Sequence, residues 1–278
     1  MRLFDITDAQ HFCSPLLVYQ PGAGQSLSQF HRGLRSGTIR LNEGTTNFDV
    51  HRVSLLNAVE RWILFGVADY RRALDMLIPS NAPWAHVTLY YSGFFGANAI
   101  LGMFGGWLNH ERMVDVEQGL PTAQILKVTK NPGSPSGYKG SHRIFWDHFY
   151  EACNTIAPWV PVELQTAITP VNGDRRWLTN TRNDVNYDMQ DAYSGARLFL
   201  TNFNPKKLRT LSGALGQQLE ITECMLKLAI YFAVHLNVNS FAYEGLGVGA
   251  RAKVFRELVT KSVPRMVEQS ELRGLMFR

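Results

Sequence analysis

From Ala82 to Asn109 the chain carries no Asp, Glu, Lys or Arg. An uncharged run of this length has two structural outlets. It either spans a bilayer or is buried among other elements on most of its faces. The run contains His86, Thr88, Tyr90, Tyr91, Ser92 and Asn98, it is rich in glycine, and no second such segment exists. Those polar groups and the missing partner segment favour the second outlet. The expectation is a central helix enclosed by other helices, with no membrane partner. Small residues four apart, Gly93/Ala97 and Gly102/Gly106, allow neighbouring helices to approach closely.

The rest of the composition agrees with a buried-core reading. Charged residues are 18% of the 278-residue chain and aromatics 12%, against about 25% charged in an average domain. This excludes a disordered chain and a charge-laced coiled coil. Cys13, Cys153 and Cys224 are too few and too scattered for a disulfide framework or a zinc site. Met1 to Asp5 lacks the apolar run of a signal peptide, so a reduced, cytoplasmic setting is expected. The net charge of +5 is compatible with RNA or DNA. Part of it is local, in residues 205–209 and in 251–278, where seven basic residues face three acidic ones.

The pattern along the chain predicts a mainly α protein of five or six helices, with a small hairpin insertion and an irregular N-terminal extension. Residues 1–50 are rich in Gly, Ser, Thr and Asn, with short strands expected over Phe12–Tyr19 and Thr38–Leu41. Residues 51–278 form the helical domain. Leu55, Val59, Trp62, Ile63 and Val67 repeat at helical spacing, and a second helix follows to about Phe104, stopped by Gly105-Gly106. Residues 107–140 form the insertion, alternating over Met113–Val116 and Gln124–Val128 like strands. Ser141 is expected to cap a short helix, on which Trp146 and Phe149, with Tyr138 before it, are expected as exposed rings. A further helix should begin near Asp174 or Arg175, and Leu208 to Val238 should be a long closing one.

Most enzyme signatures are missing. There is no His-Glu-x-x-His, no Gly-x-Ser-x-Gly and no Cys-x-x-Cys. His142 and His148, the two closest histidines, are six apart, which puts them on different faces of a helix. Neither a metal nor another cofactor is expected. One constellation does carry chemistry. Thr181-Arg182-Asn183-Asp184-Val185-Asn186-Tyr187-Asp188 concentrates Arg, Asn, Asp and Tyr in one short stretch, with Arg182 and Asn186, and Asn183 and Tyr187, four apart. A guanidinium with amides and a phenol nearby can hold a phosphate. The same residues also suit a helix-capping network in which Arg182 pairs with Asp184 or Asp188.

Two segments resemble the HEPN superfamily (higher eukaryote and prokaryote nucleotide-binding domains). His86 to Leu101, with Tyr90-Tyr91-Ser92, Phe94, Ala97 and Leu101, is similar to the family's second helix. Arg182 to Tyr187 is similar to its Arg-x4-6-His motif near the start of a later helix, with Tyr187 in place of the His. The resemblance covers about residues 51–238. It implies an up-and-down bundle that forms a homodimer. It also implies a metal-independent ribonuclease of a phage-defence or toxin–antitoxin system, with an antitoxin or defence-complex protein as partner. On that resemblance the catalytic residues are Arg182, Asn183, Asp184 and Tyr187, and the substrate contacts are Tyr90, Tyr91 and Asn186. Tyr187 departs from the pattern, because a phenol with pKa near 10 is a poor base at neutral pH. The alternative is therefore a non-catalytic module that binds a nucleotide, a nucleic acid or a partner protein.

Overall fold

The computed structural model describes residues 5–13, 37–42, 46–77, 82–108, 112–117, 123–130, 140–185 and 213–238. It is mainly helical. In chain order the helices are α1 (Ile6–Cys13), α2 (Thr46–Asp75), α3 (Ala82–Met103), α4 (Ser141–Ile156), α5 (Trp177–Asn183) and α6 (Gly213–His235). Two 3-10 turns, Ala157–Trp159 and Val162–Ala167, connect α4 to α5. Pro158 and Pro161 lie in this connection, where an α-helix would lose hydrogen bonds to them.

The uncharged segment forms the centre. α3 packs along both α2 and α6. Leu89, Tyr90, Ala97, Ala99, Ile100 and Leu101 on α3 are fully buried, as are Leu55, Val59 and Ile63 on α2 and Met225, Leu226, Leu228 and Phe232 on α6. Among the described residues no helix is long and apolar enough to cross a membrane. Asn98 and Thr88 bond to carbonyls of α3 itself, and Ser92 and His86 are satisfied across the helix contacts, as burial demands. Ser92 Oγ donates to the Gly66 carbonyl of α2 at 2.7 Å. His86 Nδ1 lies 2.6 Å from Gln218 Oε1 of α6, and Gln218 Nε2 donates back to the His86 carbonyl at 2.8 Å. Tyr70 of α2 donates to Glu223 of α6 at 2.6 Å, and Glu223 is paired with Lys227.

Close approach explains the glycine at 102. A Cβ there would meet Val59 Cγ2 at 2.6 Å and the Trp62 ring at 3.2 Å. The helix then ends in a Schellman motif. Gly105 has φ 79°; its N–H donates to the Gly102 carbonyl and the Gly106 N–H to the Leu101 carbonyl. α6 ends the same way, with Asn237 at φ 54° taking the glycine's place.

Two N-terminal expectations change. Phe12 and Cys13, expected to open a strand, close α1, and both are buried in the common core. Arg52 holds that end by donating from Nε to the Phe12 carbonyl at 2.5 Å and from Nη2 to the His11 carbonyl. The Cys13 thiol donates to the Met103 carbonyl, tying α1 to the end of α3. α2 starts at Thr46, so a boundary at residue 51 falls inside it. Residues 37–42 are extended as β1 (Gly37–Asn42), and three strands follow α3: β2 (Trp107–Leu108), β3 (Arg112–Glu117) and β4 (Ala123–Lys130). Their order is β1-β4-β3-β2, every pairing antiparallel.

Two variants separate close approach from helix propensity. Gly102→Ala forces a methyl against the β-branched Val59 and should lower stability by about 1–3 kcal/mol in urea unfolding. Gly216→Ala in α6, where a Cβ meets nothing within 4 Å, should raise it by about 1 kcal/mol. A pH prediction comes from His51, whose pKa burial lowers to about 4. The unfolded chain titrates near 6.5, so between these values it binds the extra proton. Stability is therefore full above pH 6.5 and falls as pH drops towards 4. His51→Leu should remove ~2 kcal/mol of the loss seen between pH 7 and pH 5.

Candidate functional site

Arg182 stands at the meeting point of α3, α4 and α5. α5 is prepared by a tight turn in which Asn172 and Gly173 both take positive φ, at 51° and 77°. Asp174 closes that turn. Its carboxylate accepts from the Arg176 N–H at 2.8 Å and from Asn180 Nδ2 at 3.2 Å, bracing the first turn of the helix. α5 thus begins at Trp177, two to three residues after the expected start, and Arg182 falls in its last turn. Asp184 keeps a helical backbone and is exposed. Asn186 and Tyr187 lie outside the described residues.

α4 is fixed against both neighbours. Gly140 stands at its cap and Ser141 is its first residue. Arg176 grips Asp147 with two nitrogens, Nη2 to Oδ2 at 3.0 Å and Nε to Oδ1 at 3.2 Å, both side chains being largely buried. Such a two-pronged pair fixes orientation as well as distance. Trp146 Nε1 donates to the Tyr90 hydroxyl at 3.2 Å. Trp146 and Phe149, expected as exposed rings, are fully buried. They stack edge to face with each other at 5.5 Å and belong to an aromatic block with Phe145 and Tyr150. Tyr138 lies outside the described residues.

On this frame Arg182 meets three expected site residues, Tyr90, Tyr91 and Asn183. Its Nη2 donates to the Tyr91 hydroxyl at 3.2 Å and its Nη1 to Asn183 Oδ1 at 3.0 Å. Its guanidinium carbon lies 5.7 Å from the Tyr90 ring centre and 5.8 Å from that of Tyr91, within cation–π range. Arg182 Nε is buried with no hydrogen-bond partner. Asp188 lies outside the described residues, and among the described residues no carboxylate pairs with Arg182, so Asp184 is not its capping partner. This distinguishes it from Arg176, held by Asp147, and from Arg52, spent on the carbonyls of α1.

A histidine joins the cluster that spacing gave no reason to choose. His142 Nδ1 lies 2.8 Å from the Tyr90 hydroxyl, and its ring packs against those of Tyr90, Tyr91 and Phe94 at 5.2–6.2 Å. Burial pushes the Tyr90 phenol up to about 12, outweighing the Trp146 hydrogen bond and the Arg182 charge, both of which favour the phenolate. Tyr90 therefore stays protonated at neutral pH, and its hydroxyl joins Trp146 to His142. It does not act as a base. A guanidinium and an imidazole thus contact the same buried phenol. Among the described residues no three His, Cys, Asp or Glu side chains gather as metal ligands would.

Tyr90→Phe keeps the ring and removes the hydroxyl. Trp146 Nε1 would then be buried without an acceptor, so the variant should lose about 1–3 kcal/mol in urea unfolding. Tyr91→Phe breaks a half-buried bond and should lose no more than about 1 kcal/mol.

No protein-family model matches this chain, and no curated protein and no solved structure matches it either.

Proposed function

We propose that the Arg182 cluster binds a phosphodiester and that the protein is a HEPN-like, metal-independent RNA-cleaving effector. The observation that supports this reading is Arg182 itself. A fully buried guanidinium is ordinarily paired with a carboxylate; this half-buried one rests instead on two phenol rings, a hydroxyl and an amide, and its buried Nε–H is unsatisfied. A cation held in that way is short of an anion. A phosphate brings several oxygens and suits the guanidinium fork.

His142 supplies what the Arg-x4-Tyr motif lacks. In the proposed reaction the ribose 2′-oxygen attacks phosphorus, the bond from phosphorus to the 5′-oxygen breaks, and a 2′,3′-cyclic phosphate remains. His142 takes the proton from the 2′-hydroxyl, and that proton ends on the departing 5′-oxygen. Arg182 stabilises the charge that builds on the non-bridging oxygens. Asn183 and Tyr91 hold the guanidinium in place. In this reaction His142 Nδ1–H donates to the Tyr90 hydroxyl, which orients the ring and leaves Nε2 to take the proton. The homodimer, the antitoxin or defence-complex partner and the defence setting belong to this proposal as parts of the same resemblance.

One observation favours a second reading. Both outer nitrogens of Arg182 already have protein acceptors, the geometry of a locked recognition residue. In that case the protein binds a nucleotide, an RNA end or a partner protein without turnover.

Purified protein in excess EDTA should cut RNA and leave 2′,3′-cyclic phosphate and 5′-hydroxyl ends. Arg182→Ala should lower the rate by about 10²–10³-fold and His142→Ala by about 10²–10⁴-fold. RNA left intact at high protein concentration, with binding still dependent on Arg182, supports the second reading. Cleavage unaffected by either substitution refutes the site.

A further inference from the structure

Three side chains converge on the Tyr90 oxygen. Trp146 Nε1 lies 3.2 Å from it and His142 Nδ1 2.8 Å. The third is Thr179 of α5. It stands three residues before Arg182, so the two side chains share a face of that helix. Arg182 meets the Tyr90 ring, and Thr179 comes close enough to the Tyr90 hydroxyl to favour the phenolate. Thr179 is 2% exposed, and its Oγ1 completes no hydrogen bond of full geometry among the described residues. A buried hydroxyl of this kind is held ready for a partner at the phenol.

Counting protons at Tyr90 shows what that hydroxyl does. A phenol oxygen donates one hydrogen bond and accepts two. The Trp146 indole can only donate, so it fills one accepting position. Once His142 has taken a proton at Nε2, its Nδ1 also carries hydrogen and fills the other. The proton of Tyr90 then needs an acceptor apart from these two rings, and Thr179 Oγ1 lies beside it. In the reverse arrangement Tyr90 gives its proton to Nδ1. A neutral His142 would then carry its hydrogen on Nε2, with no lone pair there to receive another.

We propose that Thr179 is a positioning residue that sets the tautomer of His142. Its Oγ1 accepts the Tyr90 proton, the Tyr90 oxygen accepts from Nδ1–H, and the lone pair stays on Nε2. The consequence for cleavage rests on the reaction proposed for Arg182 and His142; the consequence for the tautomer does not. Thr179→Val keeps the branched shape and removes the acceptor. The Tyr90 proton then turns to Nδ1, and the imidazole hydrogen moves to Nε2.

The test is heteronuclear NMR of the full chain carrying labelled histidine, at about pH 8, where an ordinary imidazole is neutral. His142→Gln assigns the signal. Wild type should show Nδ1–H at His142, Thr179→Val should show Nε2–H, and Thr179→Ser should return Nδ1–H. RNA cleavage should follow the same order: Thr179→Val lowers kcat at least about tenfold with KM within about twofold, and Thr179→Ser restores it. Nε2–H in wild type overturns the proposal. So does Nδ1–H retained in Thr179→Val, even where that variant cleaves slowly. Neutron diffraction from wild-type crystals needs no variant to fold. There the Tyr90 hydrogen should point to Thr179 Oγ1, and a hydrogen directed at His142 Nδ1 overturns the assignment. A tautomer that switches in a protein without ribonuclease activity upholds the role of Thr179 and removes the cleavage reading instead.

Discussion

Everything in this molecule depends on one helix being able to lie uncharged between two others. α3 presents no ionic group to α2 or α6, so it brings no charge of its own to be desolvated at either contact. Its polar side chains reach backbone or amide partners across the seam, Ser92 on Gly66 and His86 with Gln218. The steric allowance at Gly102 brings α2 within the reach of a methyl group. Close packing of this kind leaves little freedom for rotation or sliding. Tyr90 and Tyr91, adjacent on α3, are thereby pinned in space.

That rigidity is what makes the Arg182 cluster informative. Tyr90 is buried and neutral, bonded to Trp146 on one side and His142 on the other. Tyr91 is half-buried and turns its hydroxyl to Arg182. Two neighbouring tyrosines therefore have different parts. One joins α3 to α4 and orients an imidazole; the other holds a guanidinium from α5. The Arg176–Asp147 pair closes the remaining side by tying α4 to the approach of α5. Three helices converge on one cation because each is fixed by its own contact, and none of those contacts is a carboxylate on Arg182.

Sequence pattern made some of this legible. The charge-free run identified α3 as the buried centre because the absence of charge over so many residues has few physical outlets. Arg182, Asn183, Tyr90 and Tyr91 stand out in the sequence by residue type and spacing, and these four come together in space. Other features were hidden for definite reasons. Phe12 and Cys13 read as part of a polar N-terminal stretch, and they are held by Arg52 and by Met103 respectively, far along the chain. Trp146 and Phe149 share α4 with His, Arg and Asp, so the helix reads as a surface element until the rings of α3 are set against it. The approach of His142 to Tyr90 spans 52 positions, and no local spacing encodes it. The pairing of β1 with β4 is hidden in the same way.

The central claim is that Arg182 and His142 hold one phosphodiester between them. The most direct measurement is a crystal structure of the protein with a uridine 2′,3′-cyclic phosphate, the product the reaction would leave. The account predicts phosphate oxygens within hydrogen-bond distance, about 3 Å, of the Arg182 guanidinium, with the His142 imidazole beside the 2′-oxygen. A nucleotide bound elsewhere, with Arg182 still held only by Tyr91 and Asn183, would contradict it.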